Sequence, residues 1–108
     1  MINKNSNIFI AGHKGMVGSA ILRKLKQSKF KKVKYASRKE LDFLNQVMVK
    51  KYFKKNSFDL LIIAAAKVGG IIANTTYPAD FIYENLQIQL NLINSANEVG
   101  IKKIIFLG

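Results

Sequence analysis

The segment most suggestive of chemistry is residues 12–18, which read Gly-His-Lys-Gly-Met-Val-Gly and place glycine at every third position. An apolar run at 8–11 precedes this segment, and an amphipathic run at 19–27 follows it. A strand, a glycine turn and a helix in this order form a seat for the pyrophosphate of a dinucleotide. Glycine permits the tight turn and lets the backbone approach the phosphates, and the positive end of the helix faces the anion.

The residues predicted to form this seat are Gly12, His13, Lys14, Gly15, Met16, Val17 and Gly18. The flanking apolar and amphipathic periodicities favour this interpretation, because a glycine triplet alone is weak evidence. An ordinary glycine-rich turn between a strand and a helix is the alternative.

The end of the second predicted strand indicates which dinucleotide would bind. A site that prefers NAD usually carries Asp or Glu here to hold the ribose hydroxyls. This chain instead reads Ala-Ser-Arg-Lys at 36–39. Arg38 can pair with a 2′-phosphate, and Lys14 can add a second positive charge. The sequence therefore favours NADP, with Arg38 as a plain surface residue being the alternative, and it places Asp42 near the adenine or ribose.

The strong positive charge raises the question of nucleic acid. The 108 residues carry 18 Lys and Arg against 6 Asp and Glu, a formal net charge of +12. All but two of these cations are lysine, and they are scattered without the interleaved aromatic residues of a stacking surface. Solvated surface lysine is the favoured interpretation, and no nucleic-acid partner is expected.

Other classes of site and location are also disfavoured. The chain contains no cysteine, which excludes a disulfide framework and a cysteine-based metal site within it. We expect no metal site. We also expect no membrane span, because no apolar run is long enough, and no signal peptide, because the first strand begins within the first ten residues. A cytoplasmic location is therefore expected.

The elements that would position these residues alternate between strands and helices. Strands are predicted at 7–11, 32–36, 59–64 and 103–107. Helices are predicted after the glycine turn, over 46–55 behind an Asn45 cap, and from Pro78 to about Val99, where Gly100 ends the helix. The first helix would bury Val17, Ala20, Ile21 and Leu25.

This alternation predicts the α/β class, as a partial doubly wound parallel sheet of the Rossmann type. With the glycine turn after the first strand, the expected strand order is 3-2-1-4. Such a sheet is incomplete, and its fourth strand is an unprotected edge. We therefore expect residues 1–108 to be the N-terminal part of a longer dinucleotide-binding domain.

The long helix after Pro78 has an apolar arc that covers about half its circumference. This arc is wide for a helix that lies only on a sheet, and it predicts contact with another layer or another subunit. Asn85 lies inside the arc, where a buried amide would either clamp neighbouring backbone or form part of the site wall. A homodimer through this helix is the expected assembly.

Several segments together resemble the GDP-L-fucose synthase family of extended short-chain dehydrogenase/reductases. They are residues 12–18, 38–42 (Arg-Lys-Glu-Leu-Asp), 64–71 (Ala-Ala-Ala-Lys-Val-Gly-Gly-Ile) and 74–83 (Asn-Thr-Thr-Tyr-Pro-Ala-Asp-Phe-Ile-Tyr). The last two segments are the specific ones, because a generic nucleotide-binding fold demands neither. The resemblance extends over nearly the whole chain.

The resemblance implies an enzyme that epimerises GDP-4-keto-6-deoxy-D-mannose at C3 and C5 and then reduces the C4 ketone with NADPH, giving GDP-L-fucose. Beyond the glycine turn, the cofactor contacts that it implies are Arg38, Leu41, Asp42, Phe43, Ala64, Ala65, Leu107 and Gly108. This chain departs mildly from the family at Lys14, where arginine is frequent, and at residues 42–43, where Asn-Leu is typical.

The resemblance also implies that these 108 residues contain no catalytic group. The family's catalytic serine, its Tyr-x-x-x-Lys motif and its epimerisation acid and base all come later. Tyr83 does not substitute, because residue 87 is glutamine, and His13 lies in the phosphate turn. The alternatives left open are another nucleotide-sugar epimerase or dehydratase, a non-catalytic NADP sensor, and a basic nucleic-acid-binding module.

Overall fold

A computed structural model describes residues 1–64 and 78–107. In this part of the chain, strands and helices alternate as predicted. The elements are β1 (Asn7–Ala11), α1 (Met16–Gln27), β2 (Lys32–Lys34), α2 (Gln46–Lys55), β3 (Leu60–Ile63), α3 (Pro78–Val99) and β4 (Lys103–Phe106). β2 ends two residues earlier than predicted, which leaves residues 35–45 as a loop between β2 and α2.

All the strand pairs are parallel, and the predicted α/β class is confirmed. The predicted order 3-2-1-4 is wrong, because the observed order is β2-β1-β3-β4. The third strand lies beside β1 rather than outside β2. The physical reason is that α2, which connects β2 to β3, packs Phe53 against Phe9 of β1 and Leu61 of β3, so the chain crosses over β1 and enters the sheet on its far side.

The two central strands are buried on both faces, as their continuous apolar sequences predict. Alternate side chains enter two separate cores. Phe9, Ala11, Leu61 and Ile63 face α2 and α3, whereas Ile8, Ile10, Leu60 and Ile62 face α1. The sheet therefore carries helices on both faces. Its carboxyl edge, where β1, β2 and β3 end, is free to form a site.

The predicted buried face of α1 is wrong in its first turn. Ile21 and Leu25 pack against the sheet as expected, together with Leu22. Val17 and Ala20 are exposed. The helix begins at Met16, so its first turn lies beyond the sheet edge, and Gly18 is the residue buried there.

The long helix α3 has the predicted bounds and two different apolar sides. One side buries Ile88, Leu92 and Ala96 against the sheet. The other side exposes Ile82, Tyr83, Leu86, Leu90 and Ile93. None of the helices in the described part of the chain has the length and apolar character that crossing a bilayer requires.

Candidate dinucleotide site

The glycine turn between β1 and α1 is built from backbone contacts. Gly12 adopts a φ of 94°, a left-handed conformation that favours glycine. The amide of Gly15 donates to the carbonyl of Gly12 at 3.2 Å, and the amide of Ser19 donates to Gly15 at 2.9 Å to begin the helix. Gly15 is the N-cap residue and supplies no side-chain acceptor, and the first turn of α1 contains no acidic residue. The first-turn amides are therefore available to an external anion.

Gly18 and Gly15 meet very different surroundings. A Cβ atom added at Gly18 would lie 1.9 Å from the carbonyl oxygen of Gly12 and 2.7 Å from its carbonyl carbon. A Cβ atom at Gly15 would lie 3.6 Å from the same oxygen, which is an ordinary contact. Gly18 thus allows the start of the helix to rest directly on the turn.

A cavity of about 400 Å³ opens between this turn and the loop that follows β2. Its volume falls within the range of small-molecule sites, roughly 300–1,000 Å³. Its position at the carboxyl ends of β1, β2 and β3 is where open parallel sheets bind ligands. The lining residues are Gly12, His13, Lys14, Gly15, Met16, Val17, Ala36, Ser37, Arg38, Leu41, Asp42, Phe43, Leu44, Ala64 and Ile88.

Most of the sequence-predicted site residues line this cavity, from both the turn and the loop. Gly18 does not line it, because it is buried where the turn meets the helix. Leu107 also lies outside the lining, at the end of β4, where its amide donates to the carbonyl of Ile63 at 3.0 Å. Ala65 and Gly108 lie outside the described residues.

Four lining residues were missed by the sequence analysis: Ala36, Ser37, Leu44 and Ile88. Ala36 and Ser37 lie between the end of the short β2 and Arg38, so their position could have been inferred from the strand end. Ile88 comes from the middle of α3, and nothing in its local sequence marks it as a site residue. Only the packing of α3 against the sheet brings it to the cavity.

The cavity has two cationic walls. Lys14 from the turn and Arg38 from the loop both line it and are exposed. Among residues 1–64 and 78–107, the single salt bridge joins Lys50 to Glu98 at 3.2 Å, so neither site cation is consumed by an ion pair within that part. Two unpaired cations beside uncapped helix amides are suited to a phosphate group.

Glu40 is an acid near these cations that the sequence analysis did not weigh. Its carboxylate accepts from the amide of Ser37 at 3.1 Å, and its own amide donates to the Ser37 hydroxyl at 3.3 Å. These bonds to Ser37 hold the pKa of Glu40 below its ordinary value, with smaller contributions from His13 and Lys14. Glu40 is absent from the cavity lining, so the carboxylate shapes the loop rather than the cavity surface.

The ring of His13 connects the turn to the end of β2. It stacks on Tyr35 with ring centroids 4.4 Å apart and planes 29° apart. The ammonium of Lys26 lies 5.9 Å from the centroid of the Tyr35 ring. Burial lowers the pKa of His13, the charge of Lys14 lowers it further, and Glu40 partly opposes both. A neutral ring packed in this way is suited to shaping the turn.

The buried amide of α3 is not the one the helical pattern suggested. Asn85 is half-buried and is absent from the cavity lining. Asn91 is the buried residue, at 1% exposure. Its side chain contacts the loop after β2, as described below. No group of three or more His, Cys, Asp or Glu side chains that could hold a metal ion occurs among residues 1–64 and 78–107.

Known proteins are similar to this chain in sequence. GDP-L-fucose synthase 1 from Arabidopsis thaliana is 53% identical over 108 residues, which are 100% of this chain and 33% of that protein. GDP-L-fucose synthase from Escherichia coli strain K12 is 48% identical over 101 residues, 94% of this chain and 32% of that protein. These relatives confirm the resemblance found in the sequence, and the chain spans about a third of their length.

A solved structure extends the comparison to a bound cofactor. The GDP-mannoheptose C4 reductase MlghC from Campylobacter jejuni, with NADP bound, superimposes with a TM-score of 0.94 at 40% identity. The match covers 100% of this chain and 34% of that one. The family model described as NAD dependent epimerase/dehydratase matches residues 8–108. With nearly its whole length matched by that model, the chain belongs to the NAD dependent epimerase/dehydratase family.

Proposed function

We propose that this chain is the NADP(H)-binding N-terminal part of a GDP-L-fucose synthase. The observation that carries the proposal is the cavity between the glycine turn and the loop that holds Arg38, in a chain whose 108 residues are 53% identical to the matching third of a GDP-L-fucose synthase. The whole enzyme would epimerise GDP-4-keto-6-deoxy-D-mannose at C3 and C5 and reduce C4 to give GDP-L-fucose.

The residues of the cavity fit a phosphorylated dinucleotide. The uncapped amides of the first turn of α1 would bind the pyrophosphate, since that turn has no acid of its own to repel it. Lys14 and Arg38 would hold the 2′-phosphate from two sides. Leu41, Asp42 and Phe43 would contact the adenosine from the opposite wall.

The remaining cofactor contacts follow the resemblance. Ala64 reaches the cavity from the end of β3, and we propose that Ala65, Leu107 and Gly108 supply further contacts to the cofactor. Bound NADPH supplies the hydride that reduces the ketone. This chain supplies binding and orientation, whereas the proton donors and the epimerisation groups would come from the rest of the enzyme.

Two observations support the proposal that this chain is one part of a larger domain. It spans about a third of the length of its curated relatives. In addition, four consecutive apolar side chains at residues 104–107 are 37–45% exposed, as expected if further chain covers β4. We therefore expect the 108 residues alone to show no turnover with the GDP-sugar and NADPH. Reduction of that substrate by the purified 108-residue chain would contradict this assignment.

Isotope incorporation tests the proposed activity of the full-length protein. Epimerisation at C3 and C5 requires proton exchange at the two carbons that flank the ketone, so turnover in D₂O should give GDP-L-fucose with deuterium at both positions. NMR of the product measures this directly. Reduction without deuterium at either carbon would instead favour a C4 reductase without epimerase activity, the alternative suggested by the likeness to the GDP-mannoheptose C4 reductase. Tight NADPH binding without any turnover would favour a non-catalytic sensor.

We further propose that the full-length enzyme is a homodimer joined through α3. The support is the exposed apolar side of this helix, where Tyr83 and Leu90 are 68% and 61% exposed. A two-fold interface uses the same surface on both subunits, so one helix side can be self-complementary. Exposed apolar surface of this extent marks an interaction site or an aggregation hazard.

Sedimentation velocity tests the assembly. Leu90→Lys or Ile93→Lys should convert the dimer to a monomer, whereas Ser57→Lys, which adds the same charge at an exposed position before β3, should leave the dimer intact. A native full-length protein that sediments as a monomer at micromolar concentration would contradict the proposal.

A further inference from the structure

The loop at residues 37–45, called here the cofactor loop, gets its shape from its own side chains. Ser37 and Glu40 exchange hydrogen bonds, and the carboxylate of Asp42 accepts from the amide of Leu44 at 3.0 Å. Asn45 then caps α2 by accepting from the amide of Met48 at 3.1 Å. These contacts fix the path of the loop, but they do not fix its distance from the rest of the cavity.

A polar contact from α3 reaches the loop from outside it. The side-chain nitrogen Nδ2 of Asn91 donates to the carbonyl of Phe43 at 2.8 Å, across 48 positions of sequence. One turn earlier, Nε2 of Gln87 donates to Oδ1 of Asn91 at 2.7 Å. Gln87 therefore satisfies the oxygen of the Asn91 amide and leaves its nitrogen facing the loop.

Asn91 is buried, so its amide destabilises the fold unless its hydrogen bonds are made. Asn91 is 1% exposed and lies beside Leu92 on the side of α3 that packs against the sheet. A buried amide is costly unless it is hydrogen-bonded, and leucine could fill the same space without that requirement. Asparagine has an advantage over leucine at residue 91 because it can donate a hydrogen bond to the Phe43 carbonyl.

The contact lies directly behind the cavity wall. Asp42, Phe43 and Leu44 all line the cavity, and Ile88 lines it from α3, one turn before Asn91. The Phe43 ring packs edge-on against Phe9 of β1, with centroids 6.3 Å apart. Phe43 is thus held by its ring at the sheet and by its carbonyl at α3.

We propose that Asn91, oriented by Gln87, is a positioning residue that sets the cofactor loop at the correct distance for the adenosine part of the dinucleotide. The identity of the ligand rests on the proposed function. Asn91 touches no ligand itself and acts through the backbone of Phe43. Because NADPH and NADH share the adenosine, the loss of this contact should weaken both equally, unlike the loss of a group that recognises the 2′-phosphate.

Equilibrium binding of NADPH and NADH to the full-length protein tests the proposal. Asn91→Leu keeps the approximate volume and removes both hydrogen bonds, and it should raise Kd for both cofactors by the same factor, about tenfold, a loss of about 1.4 kcal/mol. Gln87→Met removes only the orienting donor and should raise both Kd values by a smaller common factor. The KM of the GDP-sugar should be unchanged in both variants.

Two control variants separate positioning from general destabilisation. Leu25→Ala lies on the opposite face of the sheet and lowers stability without touching the loop. Ser95→Ala alters another buried polar residue of α3, whose hydroxyl has no hydrogen-bond partner among the described residues. Both should keep the native Kd values at a temperature where they are folded.

The possible outcomes distinguish this proposal from the proposed function. If the native protein binds neither cofactor, the proposed function is wrong. If the native protein binds NADPH but the Asn91 and Gln87 variants bind both cofactors with native Kd values, or lose only NADPH, the positioning role is wrong. If Asn91→Leu does not fold, Gln87→Met gives the same decision.

Discussion

The two walls of the cavity are made by different physical means. The glycine turn is shaped by its backbone: Gly12 has a positive φ, Gly18 lets the helix touch the turn, and the N-cap of α1 has no side-chain hydrogen bond. The cofactor loop is shaped by side chains, through Ser37, Asp42 and the Asn45 cap of α2. In the glycine turn, the backbone amides stay uncapped and can bind an anion. In the cofactor loop, the side chains accept hydrogen bonds from the loop's own backbone amides, so that this wall offers side-chain and carbonyl surface instead.

The largest expected effect comes from a methyl group at Gly18. Gly18→Ala would place Cβ 1.9 Å from the Gly12 carbonyl oxygen, so either the turn or the helix must move. We expect a loss of stability of about 1–3 kcal/mol or more, together with loss of NADPH binding. Thermal unfolding and cofactor titration of the full-length protein measure both effects.

Gly15→Ala is the matched control for that variant. Its Cβ meets the same oxygen at 3.6 Å, and the φ of Gly15 is −71°, which alanine adopts freely. Its stability should therefore stay within about 1 kcal/mol of the native protein. Equal destabilisation by the two substitutions would show that close packing of helix and turn is not what requires glycine at residue 18.

The second-largest expected effect concerns the preference for NADPH over NADH. Arg38→Ala removes a guanidinium from the cavity wall and should weaken NADPH binding by about 1.5–3 kcal/mol, the usual contribution of a charge-assisted hydrogen bond. NADH binding should change little. Lys39→Ala is the control, because Lys39 is the adjacent exposed cation and does not line the cavity. Equal losses for NADPH and NADH in Arg38→Ala would remove the assignment of the 2′-phosphate to this residue.

The sequence predicted the strand, turn and helix that form the turn wall because their determinants are local. Three glycines, a preceding apolar strand and a following helix are all within about twenty residues, and each follows from a steric requirement. The strand order was wrong for the opposite reason. The place of β3 in the sheet depends on how α2 packs across β1, a tertiary contact that the local pattern does not contain.

The long helix shows the same limit within a single element. Its bounds were readable from Pro78 and Gly100, and its wide apolar arc from the helical period. The pattern drew attention to Asn85, whereas the buried amide that contacts the loop is Asn91. A helical wheel shows in which direction a side chain points, but it does not show which backbone carbonyl from elsewhere in the chain lies within hydrogen-bond distance.

The third expected effect tests the side-chain construction of the loop wall. Asn45→Ala removes the acceptor for the Met48 amide at the start of α2 and should lower the free energy of unfolding by about 1 kcal/mol. Asn45→Asp keeps an acceptor and should stay close to the native value. Urea denaturation measures both variants. A neutral Asn45→Ala would mean that the loop keeps its shape without the cap.

The smallest expected effect concerns His13, whose ring joins the glycine turn to the end of β2 by stacking on Tyr35. Burial and Lys14 lower the pKa of His13 below the ordinary value of 6.5, so the folded protein takes up a proton there less readily than the unfolded chain. His13 therefore carries no penalty above about pH 6.5 and destabilises the fold as the pH falls below that value toward the lowered pKa. His13→Phe keeps a ring for stacking without titrating, so its melting temperature should fall less than that of the native protein between about pH 8 and about pH 5.5.

Glu40 does not contribute to the pH dependence in this range. Its lowered pKa keeps the carboxylate ionised there, and the stabilisation from Glu40 is lost only as the pH falls to its ordinary value of 4.5 and below. Identical pH dependence in the native protein and His13→Phe would show that the His13 ring titrates as freely in the fold as in the unfolded chain.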